Sequence, residues 1–170
     1  HLSRYRPLLE SRYDIKNRGA PWYSIANPRN LDKITSHRDR LVTPFIAPEN
    51  RFAFIKADEN WIYSGDIYVV LPKENCPVDM KFILSILNSK LFEFFHKRTA
   101  KAVDGAAMTS KGLPGRRFSY QAKYVSPHPI VIPKNDEERR LHDELVGFVD
   151  KMIDLRKRWN EIDVEFDHYM

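Results

Sequence analysis

RLVTPFIAPENRFAFIKADENWIYSGDIYVVL, residues 40–71, decides the fold. Its apolar residues come as four short runs, RLVTPFI, RFAFIK, WIY and DIYVVL, each rich in β-branched and aromatic side chains. Ala47-Pro48-Glu49-Asn50, Ala57-Asp58-Glu59-Asn60 and Ser64-Gly65-Asp66 separate them with turn chemistry. Runs this short cannot be helices, so they predict successive strands of an antiparallel or mixed twisted sheet.

Beyond this block, Met80, Ile83, Leu84, Leu87, Leu91 and Phe94 or Phe95 recur at steps of three and four. The spacing predicts one helix from Asp79 to His96, capped by Asp79, with its apolar stripe on the core. Before the block, HLSRYRPLLESR puts Leu2, Tyr5, Leu8 and Leu9 on one side of a short amphipathic helix. WYSI supplies Trp22, Tyr23 and Ile25 as core or strand residues, and Asn27-Pro28-Arg29-Asn30 reads as a turn. PIVIP at 129–133 reads as a short edge strand, since proline cannot donate to a ladder. The fold class is therefore α+β, a twisted sheet with packed helices.

The C-terminal segment reads as one long helix. Asn135 and Glu138 form a capping box, and Leu141, Leu145, Phe148, Met152, Leu155, Trp159, Ile162, Phe166 and Tyr169 follow in alternating steps of four and three. At 1.5 Å per residue such a helix is roughly 50 Å long, so it is expected to project and pair with another helix. A globular domain at 1–134 and a spacer or coiled-coil helix at 135–170 follow from this pattern.

The 42% hydrophobic content supports a packed core, and one cysteine, Cys76, excludes an internal disulfide. Six histidines show no metal-ligand spacing, and no apolar run reaches the roughly 18 to 20 residues that cross a bilayer. A reduced, cytoplasmic setting without membrane contact is expected. The chain opens at His1 in mid-pattern and reads as a piece of something longer.

Charge is unevenly placed. Residues 1–40 carry nine bases and four acids, 41–96 five and seven, 97–123 seven and one, and 124–170 seven and eleven. Clustering of this kind suits a polyanion, because phosphate affinity comes from local neutralisation and counterion release. The richest segment, KRTAKAVDGAAMTSKGLPGRRFSYQAK at 97–123, has neither helical nor strand periodicity and reads as a glycine-bearing loop.

No catalytic constellation emerges. Asn27-Pro28-Arg29-Asn30 lacks the second proline and the aromatic of an amino-methyltransferase motif, and Gly105 with Ser110-Lys111 lacks the second glycine of a phosphate-binding loop. Asp58, Glu59 and Asp66 have no lysine at nuclease spacing and fit turns better.

PWYSIANPRNLDKI, RLVTPFIAPENRFAFI, NWIYSGDIYVVLP, ILSILNSKLFEFFHKRTAKA and YVSPHPIVIPKNDEERRLHDELV together resemble the target-recognition region of restriction-modification methyltransferases. They are similar to the TaqI-like C-terminal specificity domain and, more distantly, to Type I specificity subunits. The Leu87-Asn88-Ser89-Lys90-Leu91 passage and the exit from Pro133 into the charged helix carry the resemblance most specifically.

The resemblance implies a non-catalytic double-stranded DNA recognition domain at 1–134. It implies partner domains, in the same polypeptide or complex, that bind S-adenosylmethionine, flip and methylate adenine or cytosine and, in some members, cleave with Mg²⁺. A helix partner would engage 135–170. By their chemistry, Arg116, Arg117 and Tyr120 are expected to meet bases, and Arg29, Arg38, Lys97, Arg98, Lys101, Lys111 and Lys123 to meet phosphates. The competing expectation is a helical assembly module whose basic surface has no function.

Overall fold

The computed structural model describes residues 2–24, 38–59 and 66–167, without the side chains of Arg18 and residues 162–167. The chain divides into two compact units, His1–Thr35 and Ser36–Met170. In the first, a 3₁₀ turn at Leu2–Tyr5 leads into α1 (Arg6–Glu10) and α2 (Tyr13–Arg18). Pro7 stands at the start of α1, where a missing N–H is no loss. Leu2, Tyr5 and Leu8 are exposed, and Trp22 meets Tyr23 edge-on at 5.5 Å. Ile25, Arg29 and the Asn27-Pro28-Arg29-Asn30 turn lie outside the described residues.

The second unit begins with β1 (Arg40–Pro44), β2 (Ile46–Ala47), β3 (Ala53–Ile55) and β4 (Ile67–Val70). The WIY run, 61–63, lies outside the described residues. Among the described residues two three-stranded sheets form, both antiparallel: β3-β1-β4, and β2 with the later strands β6 (Pro114–Ser119) and β5 (Ala102–Met108) in the order β2-β6-β5. RLVTPFI, expected as one strand, changes sheet at Phe45. Pro44 has no N–H to extend the ladder. Phe45 then donates its N–H to Asp66 O at 2.7 Å, while its carbonyl accepts from Tyr120 N–H at 2.9 Å, joining the two sheets.

The helix expected from Asp79 to His96 is two, α3 (Met80–Leu87) and α4 (Lys90–Thr99). Asp79 caps α3 by accepting from Lys81 N–H at 2.6 Å. The break falls at Asn88-Ser89 because both side chains replace backbone bonds. Ser89 Oγ accepts from Phe92 N–H at 3.1 Å and caps α4. The Asn88 amide accepts from Phe52 N–H at 3.1 Å and donates to Phe52 O at 2.9 Å, acting as a one-residue strand partner. The apolar stripe is buried through Met80, Ile83, Leu84 and Leu87, together with Leu41, Phe52, Phe92, Phe118 and Val149, whereas Leu91, Phe94 and Phe95, expected on the same stripe, are exposed because the break at Asn88-Ser89 turns Phe92 inward instead.

α5 (Ala122–Val125) follows the second sheet, and PIVIP forms no strand, its prolines withholding the N–H groups that a ladder needs. α6 (Asp136–Asp167) starts where expected: Asn135 Oδ1 accepts from Glu138 N–H at 2.9 Å, while the Glu138 carboxylate accepts from Lys134 N–H at 2.7 Å.

α6 docks on α3 by a stripe other than the heptad seam. His142 Nε2 accepts from Asp79 N–H at 3.2 Å with its ring 4.6 Å from that of Phe82, Val149 is buried, and Asp150 pairs with Lys81 at 2.7 Å. Leu141, Leu145, Phe148, Met152, Leu155 and Trp159 stay exposed. Tyr169 lies outside the described residues, as do the side chains of Ile162 and Phe166.

Candidate nucleic-acid interface

The basic segment 97–123, expected as a loop, is the end of α4 followed by the β5–β6 hairpin. Backbone pairing supplies the order: Met108 lies opposite Pro114, Ala106 opposite Arg116 and Ala102 opposite Phe118, with a bulge between Val103 and Ala106. Alternation was hidden because β5 is mostly alanine, glycine and valine, which mark neither face. Those small residues make a slim two-stranded ribbon.

The hairpin is held firmly from outside itself. The Glu49 carboxylate accepts hydrogen bonds from Ser110 N–H and, at 3.0 Å, from Ser110 Oγ–H, and it pairs with Arg51 at 3.1 Å. Arg51 also donates to Met108 O at 2.7 Å. Slight burial pushes the Glu49 carboxyl upward, but the bonds from Ser110 and the charge of Arg51 outweigh it and hold the group below its ordinary range. Gly115 lets the hairpin pass close to its neighbours, since a Cβ there would stand 2.8 Å from Thr109 Cγ2 and 3.0 Å from Pro48 Cβ.

Beneath the hairpin, His96 on α4 is fully buried, stacked 4.3 Å from the Tyr120 ring, and 3.1 Å from Ser119 O and 3.3 Å from His128 Nε2. Burial first, then the neighbouring His128, lowers its pKa to about 4 against a weaker opposing bond from Ser119, so the imidazole is neutral near pH 7.

The candidate residues fare differently. Tyr120, expected at a base, is 1% exposed, lies edge-on to Phe52 at 5.9 Å and donates its hydroxyl to Asn50 Oδ1 at 3.3 Å. Burial, aided by Glu93 and Glu49, pushes its phenol far above the ordinary value. Tyr120 is a core residue, since an aromatic closing the strand faces inward here.

Lys97 is tied to Glu93 at 2.6 Å within its own helix, which removes it from the set of free cations. Glu93 also pairs with Lys90 at 2.7 Å; the two lysines hold its carboxyl low against the upward pull of partial burial. Arg98 lies over the Phe94 ring at 3.5 Å and donates to Phe94 O. Arg38 stands 4.0 Å from Glu74, and Lys123 lies over the Tyr124 ring at 4.9 Å.

Arg116 and Arg117 are neighbours on a strand, so the pleat sends them to opposite faces. Arg116 is exposed, whereas Arg117 is half-buried, its guanidinium lying against Gly105. Lys101, Lys111 and Arg116 are exposed and form no ion pair among the described residues. Two of the three lie on the hairpin, and Lys101 stands at its foot.

Sequence reasoning passed over Glu49, Arg51 and Ser110, which anchor the tip. No local pattern marks them, because Glu49 and Ser110 are brought together across 61 residues. Among the described residues no group of three or more His, Cys, Asp or Glu could hold a metal, and no helix is long and apolar enough to cross a membrane.

Residues 4–113 match the TaqI-like C-terminal specificity domain family. The chain is also similar to the Type II methyltransferase M.BanIII of Aneurinibacillus aneurinilyticus, at 30% identity over 146 residues. That match covers 85% of this chain and 23% of that protein, so the chain spans under a quarter of the relative's length. β6 and α6 lie beyond the family match. A slim cationic hairpin braced on an α+β core, with this family match over most of the chain, leads to one assignment: the chain belongs to the TaqI-like C-terminal specificity domain family.

Proposed function

We propose that the chain reads double-stranded DNA for a restriction-modification methyltransferase, and that the β5–β6 hairpin is the reading element. A two-stranded ribbon fits the major groove, which is about 12 Å wide. The observation that carries the reading is a hairpin with a strand of mostly small residues, fixed at its tip by Glu49 and Arg51, on which Lys111 and Arg116 form no ion pair among the described residues. Arg116 can grip guanine O6 and N7 with two bonds, while Lys101, Lys111 and Lys123 neutralise phosphates and set the register.

In this reading the recognition part is 1–134, and 135–170, which contains α6, is a spacer. Methyl transfer to adenine or cytosine, and any accompanying Mg²⁺-dependent cleavage, belong to other domains of the longer enzyme, working on cytoplasmic DNA. An apolar cleft of about 380 Å³ among the described residues, lined by Phe92, Phe95, Tyr124 and His128 among others, does not fit S-adenosylmethionine: Lys123 is on its wall, and it has no acid for ribose hydroxyls or the cofactor's cationic groups.

Selection of duplexes from a random pool tests the reading. One sequence should be enriched, and Arg116→Ala should relax choice at one position by about 1–3 kcal/mol. Recovery of an unselected pool would defeat it.

A second reading, assembly through α6, has its own support: the helix has a docking stripe and a separate exposed seam. Leu155 and Trp159 on that seam are 64% and 62% exposed, well clear of the Lys81–Asp150 pair. Leu155→Lys with Trp159→Lys should abolish any association seen by sedimentation without lowering the melting midpoint. An unchanged sedimentation coefficient in a chain that does associate would remove the seam as its cause.

A further inference from the structure

At the foot of the hairpin, one face of β6 borders a cleft of about 290 Å³ whose walls include Lys101, Asp104, Ser119, Gln121 and Lys123. Ser119 is 3% exposed, and its Oγ is buried without a hydrogen-bond partner. Two residues earlier on β6, Arg117 Nε is also buried and unpartnered. Residues two apart on a strand share a face. Cross-strand pairing adds Lys101 to it: Val103 lies opposite Arg117, and Ser119 N–H donates to Lys101 O at 3.0 Å. Two of the four buried, unpartnered side-chain atoms among the described residues therefore belong to one strand face, and of the two residues Ser119 lines the cleft beside Lys101 and Lys123.

Leaving a buried polar group unpaired costs about 1–3 kcal/mol, and this strand face carries two of them. The Arg117 seat is itself built. Gly105 in the bulge has φ +84, and a Cβ there would stand 2.8 Å from Arg117 Nη2, so the guanidinium rests on bare backbone. Hydroxyl, guanidinium and ammonium groups can all donate, and the complement of converging donors is an anion with several acceptor oxygens. Asp104, the one acid lining the cleft among the described residues, disfavours small anions held by charge alone. An anion carried on a polymer and held by contacts elsewhere along it tolerates that repulsion where a free anion does not.

We propose that the Arg117–Ser119 face, with Lys101 and Lys123, is a DNA phosphodiester site at the foot of the hairpin. Arg117 then serves a phosphate and not a base, and Ser119 joins the interface. This rests on the reading of the hairpin as DNA-facing. It adds a fixed phosphate that sets how deep the ribbon enters the groove.

Ser119→Ala in the 170-residue chain separates this site from a packing role. Deleting an unsatisfied hydroxyl should leave the melting midpoint unchanged or raise it, whereas duplex affinity should fall roughly tenfold, alike on selected and random sequences. With duplexes carrying one neutral methylphosphonate at a time, the wild-type chain should lose affinity at a position where Ser119→Ala loses nothing further. Equal duplex binding by Ser119→Ala and wild type would overturn the phosphate site and leave the hairpin reading standing. Failure of the wild-type chain to bind any duplex at low salt would overturn both. A flat methylphosphonate scan, with inorganic phosphate raising the wild-type midpoint but not that of Ser119→Ala, would assign the site to free phosphate and overturn its assignment to DNA.

Discussion

α4 and the β5–β6 hairpin share one cation-rich stretch of sequence, yet the helix consumes its cations and the hairpin presents them. On α4, Lys97 is bound by Glu93 one turn back, and Arg98 is folded over Phe94. Side chains at i and i+4 on a helix meet, so a helical cation near an acid or aromatic finds a local partner. On the hairpin, whose β5 is mostly alanine, glycine and valine, Lys111 and Arg116 form no ion pair among the described residues. Charge in a sequence becomes charge available to a ligand only after the secondary structure has taken its share.

The largest expected effect concerns the support that helix and hairpin share. His96 has a folded pKa of about 4 against 6.5 in the unfolded chain, so unfolding takes up a proton between these values. Stability contributed by the neutral imidazole is complete above pH 6.5 and is lost progressively as pH falls to about 4. The loss should reach on the order of 3 kcal/mol, with His128, also lowered by burial, adding in the same direction. Urea midpoints at pH 7 and pH 4.5 measure it. A His96→Gln chain whose midpoint falls as steeply as wild type in that window would show that another group carries the dependence.

Next in size is Asn88→Ala. Removing the amide that pairs both backbone groups of Phe52 should lower stability by about 1–3 kcal/mol, seen in the chemical denaturation midpoint. Glu49→Gln sharpens the comparison further. It removes the charge holding Ser110 and Arg51, so the hairpin tip should exchange its amide hydrogens faster while α4 keeps its protection. Equal acceleration in both would mean that the two regions open together. Lys97→Ala is the smallest: an i, i+4 pair with Glu93 should cost about 0.5 kcal/mol of stability and leave duplex affinity unchanged.

Much of the second unit was legible because its signals are local. Asp79 and Asn135 cap helices as their spacing implies, and the apolar stripe from Met80 to Leu87 is buried. The single helix from Asp79 to His96 failed at Asn88-Ser89, whose side chains close backbone bonds with Phe52 and Phe92, partners that helical periodicity cannot see. The hairpin was invisible because a strand of small residues alternates in geometry without alternating in hydrophobicity. Tyr120 misled for a related reason: beside two arginines it looks like a surface aromatic, but the pleat and the His96 ring draw it inward. α6 has two faces, and only the seam of leucines and aromatics is periodic enough to read; the docking face uses His142, Val149 and Asp150, one of each kind.

The most direct measurement is the salt dependence of duplex binding by two double variants, Lys101→Ala/Lys111→Ala and Lys97→Ala/Arg98→Ala. The first should weaken binding and flatten the slope of log K against log salt by about 1.8, the value for two phosphate contacts. The second should match wild type in both affinity and slope. Equal slopes for the two variants, or a larger change in the second, would contradict the claim that the hairpin and not the helix faces DNA.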